Sequence, residues 1–437
     1  MEEGKHIVAI DIGSSEIVGG ILAISPDKKM TLLAVKRENS DCLVRRGLIR
    51  NLEDIREKIE GILSSLGKVI EKRNLKIQRM YVGVCGQSLH SVRKIVQKTF
   101  DTEQKMTEQI LTDFSAGILT SDNFRPYIPF EVIPVEYRLN DSVEKRPVGI
   151  GCGKIVVENV VVVGRSIMKS NVENCLKKLS IGVSGFLISP LELAKVVLTQ
   201  EEKELGCVLV DFGGSTTTIA IYKGGKLIHL VTIPFGGDNI TLDLTSLHLL
   251  EGQAEEIKQK DAHAMFNKSN ENRKIYINNG SSAERFVLQS DVDAIVSART
   301  EEILENVLLQ VEEMGGKENL PSGFILVGGA SRLNGLGECL KEKSKMEVRN
   351  GSILIDFENK TPENMGDPSL FNLLSLLLGG KINCADPVEV PQEKPVDNFV
   401  ENKPEHTSAT VGIGKKILDG ILNFGKNIVD DGKDNNF

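Results

Sequence analysis

The sequence predicts an α/β chain of two similar domains, each led by a β-hairpin core, and three observations predict it. An apolar strand ending in Asp-x-Gly occurs twice, about half a chain apart. Short apolar runs bounded by turn residues alternate with stretches of helical spacing. The length of 437 residues fills about three domains at roughly 150 residues each. Residues 7–35 read IVAIDIG, SSE, IVGGILAI, SPDKK, MTLLAV, and residues 207–233 read CVLVDFG, GSTT, TIAIY, KGGK, LIHLVTI. Each copy is a strand, a tight turn of small residues, a second strand, a turn and a third strand. A repeat of this kind implies two related domains facing each other.

Apolar residues make up 40% and charged residues 26%, so a sizeable core is available. Aromatics are only 5% with no Trp, which leaves the core to Ile, Leu and Val. A net charge of −8 excludes nucleic acid as the main partner, because phosphate-backbone binding needs a basic face. Cys42, Cys85, Cys152, Cys175, Cys207, Cys339 and Cys384 are scattered singly, which supports neither a disulfide framework nor a zinc site and points to a reducing compartment. The start MEEGKHIVAIDIG lacks the basic and apolar regions of a secretory signal, and no run approaches the roughly 18 apolar residues of a spanning helix. The expected location is cytoplasmic, with any membrane contact peripheral.

Along the chain, residues 1–81 form the first part of domain one, and 82–165 break its pattern as an inserted block. That block runs from strand-like VGVCGQSLHSVRKIV through helical MTEQILTDFSAGIL to apolar KIVVENVVVVGRS. Residues 166–205 return to domain one with helical spacing in SNVENCLKKLSIGVSG and SPLELAKVVLTQEEKELG. The second domain begins at 206–244. Residues 245–291 are polar, with NKSNENRK and NNGSSAE as loop signals, and form a small subdomain with exposed edges. Residues 292–385 return with the amphipathic helix VDAIVSARTEEILENVLLQVEEM, the strand GFILVGG, a helix from SRLNGLGECLKEK, and SLFNLLSLLLGGK as a buried helix. From 386 to 410, prolines alternate with acidic residues and apolar content collapses, as in a disordered linker. Residues 411–429 are apolar again.

Asp11 and Asp211 each end an apolar strand before a turn of small residues. That pairing suits magnesium-nucleotide binding, with the carboxylates holding Mg²⁺ mostly through its waters. Backbone N–H groups of Gly13, Ser14, Ser15, Gly213, Gly214 and Ser215 would cradle phosphate oxygens, and the hydroxyls of Ser15, Thr216 and Thr217 would add donors. A single Asp-x-Gly is more simply a capped hairpin turn, whereas two in matching settings point to a site. A third element, FILVGGASRL, runs a strand into Gly328-Gly329 and then a helix, allowing close approach of a ligand to the backbone. P-loop and Rossmann signatures are missing from the sequence.

These three elements together resemble the nucleotide clamp of the actin, Hsp70 and sugar-kinase superfamily. Within it, VLTQEEKELGCVLVDFGGSTTTIAIYKGGKLIHLVTIPFGGDNITLDL followed by AEEIK resembles the bacterial cell-division family FtsA, supported by VGVCGQSLHSV, RPVGIG and ARTEEI. The resemblance implies an actin-like two-domain ATPase fold with an FtsA-type inserted subdomain, and ATP with Mg as ligands. It implies that Gly237, Asp238 and Asn239 lie near the phosphates or sugar, and that Glu255 and Lys258 approach the ribose and base, with Gly328, Gly329 and Arg332 behind them. Two departures stand out. Ser215 and Thr218 replace a Gly and an Asp common in the family's second loop, and Glu16 stands where Lys is frequent. A positioned general base is not visible, so the expectation is at most a slow ATPase.

In VGIGKKILDGILNFGKNIV, a helical advance of about 100° per residue gathers Ile413, Ile417, Leu418, Ile421, Leu422, Phe424 and Ile428 on one half. Lys415, Lys416 and Lys426 fall on the other. This is the pattern of an interfacial membrane anchor, with each lysine adding about 1 kcal/mol at an anionic surface. The bland alternative is a helix docked on its own domain or in a partner's groove. The resemblance implies the same anchor, self-association into filaments, tethering of the tubulin-like FtsZ, recruitment of other division proteins, and a place on the cytoplasmic face of the membrane at the division site. The rivals are a soluble sugar or metabolite kinase, an Hsp70-type chaperone ATPase, and a pilus-assembly relative whose C-terminal helix binds a protein.

Overall fold

The computed structural model describes residues 4–266, 272–277 and 285–387. The first hairpin unit is β1 (Lys5–Ile12), β2 (Glu16–Ile24) and β3 (Met30–Asn39), followed by a small hairpin of β4 (Val44–Arg45) and β5 (Leu48–Ile49). Helix α1 (Leu52–Glu71) starts where Asn51 accepts from the backbone N–H groups of Glu53 and Asp54, and it buries Ile55, Ile59, Ile62, Leu66 and Ile70. Strands β6 (Leu75–Ile77) and β7 (Arg79–Val84) follow, and β7 runs through position 82, where the sequence places the start of the inserted block.

The inserted block contains β8 (His90–Lys105), α2 (Glu108–Leu119), β9 (Ile128–Leu139), β10 (Ser142–Glu144) and β11 (Gly151–Gly164). Thr107 caps α2 by accepting from the Ile110 N–H. The long strands β8, β9 and β11 pair antiparallel, and α2 closes a small core around Met106, Leu139, Cys152, Ile155 and Val157. The chain returns through α3 (Ile167–Lys178), β12 (Gly182–Ile188), α4 (Ser189–Val197) and α5 (Gln200–Leu205). The last two are separate helices, although the sequence reads as one helical stretch. Thr199 and Glu202 form a capping box that starts α5 afresh, and Arg349 forks onto Glu202 at 2.6 and 2.8 Å.

The second hairpin unit is β13 (Cys207–Phe212), β14 (Thr217–Lys223) and β15 (Lys226–Ile233). After it come α6 (Gly237–Leu244), α7 (Glu251–Lys260), the hairpin β16 (Lys274–Ile277) and β17 (Arg285–Leu288), and α8 (Gln289–Glu313). The region expected to be irregular therefore holds a helix and a hairpin. It closes because Ile240, Leu244, Ile257, Ile275, Val292 and Val296 from these elements share one apolar cluster, which segment-by-segment reading does not reveal. The described residues finish with β18 (Phe324–Val327), α9 (Leu336–Ser344), β19 (Val348–Asn350), β20 (Glu358–Asn359), α10 (Phe371–Gly379) and β21 (Ala385–Pro387). A 3-10 turn at Gly329–Arg332 replaces the expected direct entry from Gly328-Gly329 into a helix, and α9 begins only at Leu336.

The two halves share one topology. The first sheet runs β12-β7-β1-β2-β3-β20, and the second contains β19-β18-β13-β14-β15. In each half the hairpin-led strand pairs antiparallel with its successor and parallel with a later strand. The first sheet is covered on both faces, which is why β1 reads as a continuous apolar run. On β2, an added Cβ at Gly19 would meet Ile62 of α1 at 2.5 Å, and at Gly20 it would meet Leu373 and Leu377 of α10 at 3.1 Å. Adjacent residues face opposite sides of a strand, so these two glycines admit one helix on each face. Helix α10 is buried, as its sequence predicts.

One feature of the assembly lies outside any local pattern: β8 of the inserted block extends the second sheet by pairing His90 with Val231 of β15, making nine strands in all. Leu230 N–H donates to Ser91 Oγ at 2.8 Å and Lys226 Nζ to the Val135 carbonyl at 2.7 Å across the same seam. The proline-rich stretch begins inside the fold, since Asp386 and Pro387 pair with Lys76 and Leu75. The rest of the 386–410 linker and the whole 411–429 segment, with Ile413, Lys415, Lys416, Ile417, Leu418, Ile421, Leu422, Phe424, Lys426 and Ile428, lie outside the described residues. Among the described residues no helix is long and apolar enough to cross a membrane.

Candidate functional site

The two equivalent turns after β1 and β13 border one cavity of about 1110 Å³. Asp11 pairs with Val18 in the first hairpin and Asp211 with Thr218 in the second, so the carboxylates occupy the same place in each half. Asp11 is only 8% exposed, and among the described residues its Oδ1 has no hydrogen-bond partner; Asp211 Oδ1 is likewise shielded and unpartnered there. Asp211 Oδ2 accepts from Asn372 Nδ2 at 3.0 Å. Burial pushes the Asp11 carboxyl up to about 7, with the nearby Asp211 charge adding to it. Burial also raises Asp211, partly offset by the Asn372 hydrogen bond. Two buried acids lining one cavity, each with a shielded oxygen left without a partner among the described residues and each made harder to ionise by its surroundings, fit a bound cation.

This arrangement gives a pH prediction. The folded-state pKa of Asp11 lies above its ordinary value, so its ionised form opposes folding. That cost is absent at low pH, grows above the ordinary carboxyl range and is complete above about 7. Asp11→Asn is expected to stabilise the nucleotide-free protein at pH 8 by up to roughly 4 kcal/mol, and by less than half as much at pH 5. Chemical denaturation at both pH values measures this; a gain independent of pH would contradict the assigned burial.

The turns themselves are tightly built. Gly13 N–H donates to Glu16 O at 3.0 Å and Gly213 N–H to Thr216 O at 2.9 Å. Both groups are thus spent inside their own turns, which corrects the expectation that they receive phosphate oxygens. Thr217 is also corrected: it is fully buried and its hydroxyl donates to the Phe235 carbonyl at 2.9 Å. Strand alternation turns it away from the cavity while Thr216 and Thr218 line it. Ser215 N–H donates to Ser14 Oγ at 3.1 Å and Ser215 Oγ–H to the same atom at 2.7 Å, so the loops are joined to each other. Ser15 and Gly214 also line the cavity, Ser15 with an exposed side chain.

The third wall comes from α6 and α7. Gly237 N–H and Asp238 N–H donate to the carbonyls of Gly213 and Gly214 at 3.0 and 2.8 Å, while Asn239 Oδ1 accepts from Gly236 N–H at 3.0 Å. Lys258 Nζ reaches Glu255 at 2.6 Å, Thr241 Oγ1 at 2.8 Å and the Gly237 carbonyl at 3.1 Å. Burial alone would raise the Glu255 carboxyl, but Lys258 and its hydrogen bonds hold it below the usual range. Gly328 and Gly329 line the cavity beside Asp211, and Arg332 pairs with Asp367 at 3.3 Å.

Several lining groups were not singled out from the sequence. Asn372 comes from the buried helix α10, where a polar residue in an apolar run was the available signal. The Glu16 carboxylate is held by Arg37 at 2.8 Å, and Arg37 also pairs with Asp367 at 3.0 Å and Glu363 at 3.2 Å. The Glu at a position where Lys is frequent is thus neutralised by a partner more than twenty positions away. Arg45, Arg46, Arg50 and Cys85 also line the cavity.

The family model "Cell division protein FtsA" matches residues 208–374. The chain is 30% identical over 351 residues to the cell-division protein FtsA of Porphyromonas gingivalis, covering 77% of this chain and 72% of that protein. The chain belongs to the FtsA family. Its identity to the FtsA of Bacillus subtilis is 26%, over 80% of this chain and 79% of that one. A structure titled "PilM-PilN type IV pilus biogenesis complex" superposes with a TM-score of 0.59 at 15% identity, over 89% of this chain and 99% of the other. The fold is accordingly the actin-like one expected for FtsA, and the role lies in cell division.

Proposed function

We propose that this FtsA-family protein binds Mg-ATP in the cleft and polymerises on the cytoplasmic face of the cell membrane at the division site. There it would tether the tubulin-like FtsZ and recruit other division proteins. The observation that carries the nucleotide reading is the pair of unpartnered, buried carboxylate oxygens of Asp11 and Asp211 on matching strands around one cavity. Bound Mg²⁺ would neutralise these carboxylates together with the phosphates. Asp11 and Asp211 would hold its water shell. Ser14, Ser15, Gly214 and Thr216 would take phosphate oxygens, and a phosphate would replace Ser14 as the partner of the Ser215 N–H. Lys258 and Glu255 would face the sugar and base, while Gly328 and Gly329 permit close approach.

Support for membrane attachment comes from the sequence of 411–429, with its apolar half and opposed lysines after a proline-rich acidic stretch. One such helix binds weakly, so a polymer carrying many would attach by avidity. The test is co-sedimentation with anionic liposomes, with and without Mg-ATP, of the full chain and of a chain stopped after Thr410. The expected result is that only the full chain pellets, and more so with Mg-ATP. If both chains stay in solution throughout, the segment serves protein docking and the membrane role falls.

A further inference from the structure

The β4–β5 hairpin supplies three cations to the cavity that the paired loops do not explain: Arg45, Arg46 and Arg50. The other cations of the lining are committed, Lys258 to Glu255 at 2.6 Å and Arg332 to Asp367 at 3.3 Å. Among the described residues, none of the three hairpin arginines has a carboxylate within 4.0 Å. Glu16, the acid on the first loop, is taken by Arg37. Uncommitted guanidinium groups in a cleft that also holds the unpartnered Asp11 Oδ1, itself 8% exposed, call for a ligand carrying both a cation and anionic oxygens.

The hairpin is also joined to the turns. Arg46 N–H donates to Ser215 Oγ at 2.8 Å, the same hydroxyl that donates to Ser14, and Gln87 N–H donates to the Arg46 carbonyl at 3.0 Å. Arg46 has a φ of 54°, a left-handed conformation that a residue with a side chain holds only where its surroundings enforce it. The Ser14–Ser215 pair is thus hydrogen-bonded to the backbone that carries the arginines.

We propose that Arg45, Arg46 and Arg50 read the terminal phosphate of the nucleotide, so that the cleft selects a nucleoside triphosphate over the diphosphate. The inference rests on the nucleotide reading above and deepens it. Guanidinium groups match phosphate oxygens with paired N–H donors and stay charged at any working pH. A diphosphate would leave them as unpaired as they are now, whereas a triphosphate brings the oxygens that they lack.

The test is calorimetric titration of the full-length protein with Mg-ATP and Mg-ADP, comparing wild type with Arg46→Ala, Arg46→Lys and the double variant Arg45→Ala/Arg50→Ala. Arg45 and Arg50 are exposed side chains, so the double variant carries the test even if Arg46→Ala fails to fold. Mg-ATP binding is expected to weaken about tenfold or more in the alanine variants, with Mg-ADP affinity changed less than about twofold, and Arg46→Lys falling between. An equal loss for both nucleotides, or none for either, overturns the arginine assignment while the nucleotide site stands. If wild type itself binds neither nucleotide, the cleft reading fails and the arginine assignment with it.

Discussion

Asp211→Ala is expected to abolish magnesium-dependent ATP binding while leaving the protein folded. Among the described residues its Oδ1 is shielded and without a hydrogen-bond partner, like Asp11 Oδ1. With one carboxylate gone, the positive charge recruited to the cleft loses half of its protein counter-charge. Breaking such a buried charge pairing costs about 3–5 kcal/mol, roughly two to four orders of magnitude in affinity. Stability should change little, because burial already opposes ionisation of Asp211 and its removal relieves that cost. The loss on the other side is the hydrogen bond from Asn372, about 1 kcal/mol. Titration calorimetry with ATP in the presence and absence of Mg²⁺, beside a thermal melt, separates the two effects. Unchanged affinity in a folded Asp211→Ala protein sinks the cleft assignment.

The second large effect is expected at Gly328. Its backbone sits at φ 86° and ψ 158°, a region that only glycine adopts without strain. An added Cβ would stand 2.3 Å from Asp211 Oδ1 and 2.4 Å from the Phe212 carbonyl oxygen. Neither neighbour yields easily, since Phe212 is β13 backbone and Asp211 is held by Asn372. Gly328→Ala should therefore lower stability by about 2–6 kcal/mol, the sum of backbone strain and overpacking, and displace Asp211 enough to weaken nucleotide binding as well. Denaturant unfolding measures the first and titration of the folded fraction the second. A Gly328→Ala protein as stable as wild type would mean that the junction after β18 is not held as described.

Much of this architecture was readable in the linear chain because it is local and repeated. The two Asp-x-Gly turns, the strands flanking them, the α1 and α8 stripes and the buried α10 follow from short-range periodicity and turn chemistry, which depend on neighbours a few residues apart. Gly13 and Gly213 were assigned to a ligand because glycine after a strand permits close approach, but whether their N–H groups are free depends on how each turn closes. Thr217 is grouped with Ser15 and Thr216 as a donor from the sequence, although strand alternation separates it from its neighbour Thr216. The 245–290 region looked irregular because its apolar residues are few per segment and form a core only when α6, α7, the β16–β17 hairpin and α8 come together.

The sequence by itself determined the duplicated α/β plan, the matched positions of Asp11 and Asp211, and membership of an actin-like cell-division family, since each is written in short contiguous patterns. Only the tertiary structure decided that Arg37 pairs with Glu16, that Asn372 from α10 holds Asp211, that β8 extends the second sheet at Val231, and that Arg45, Arg46 and Arg50 line the cleft with no carboxylate within 4.0 Å among the described residues. Those contacts join residues tens to hundreds of positions apart. Their energies depend on distance, burial and geometry in space, and no spacing along the chain encodes which charges meet and which remain free.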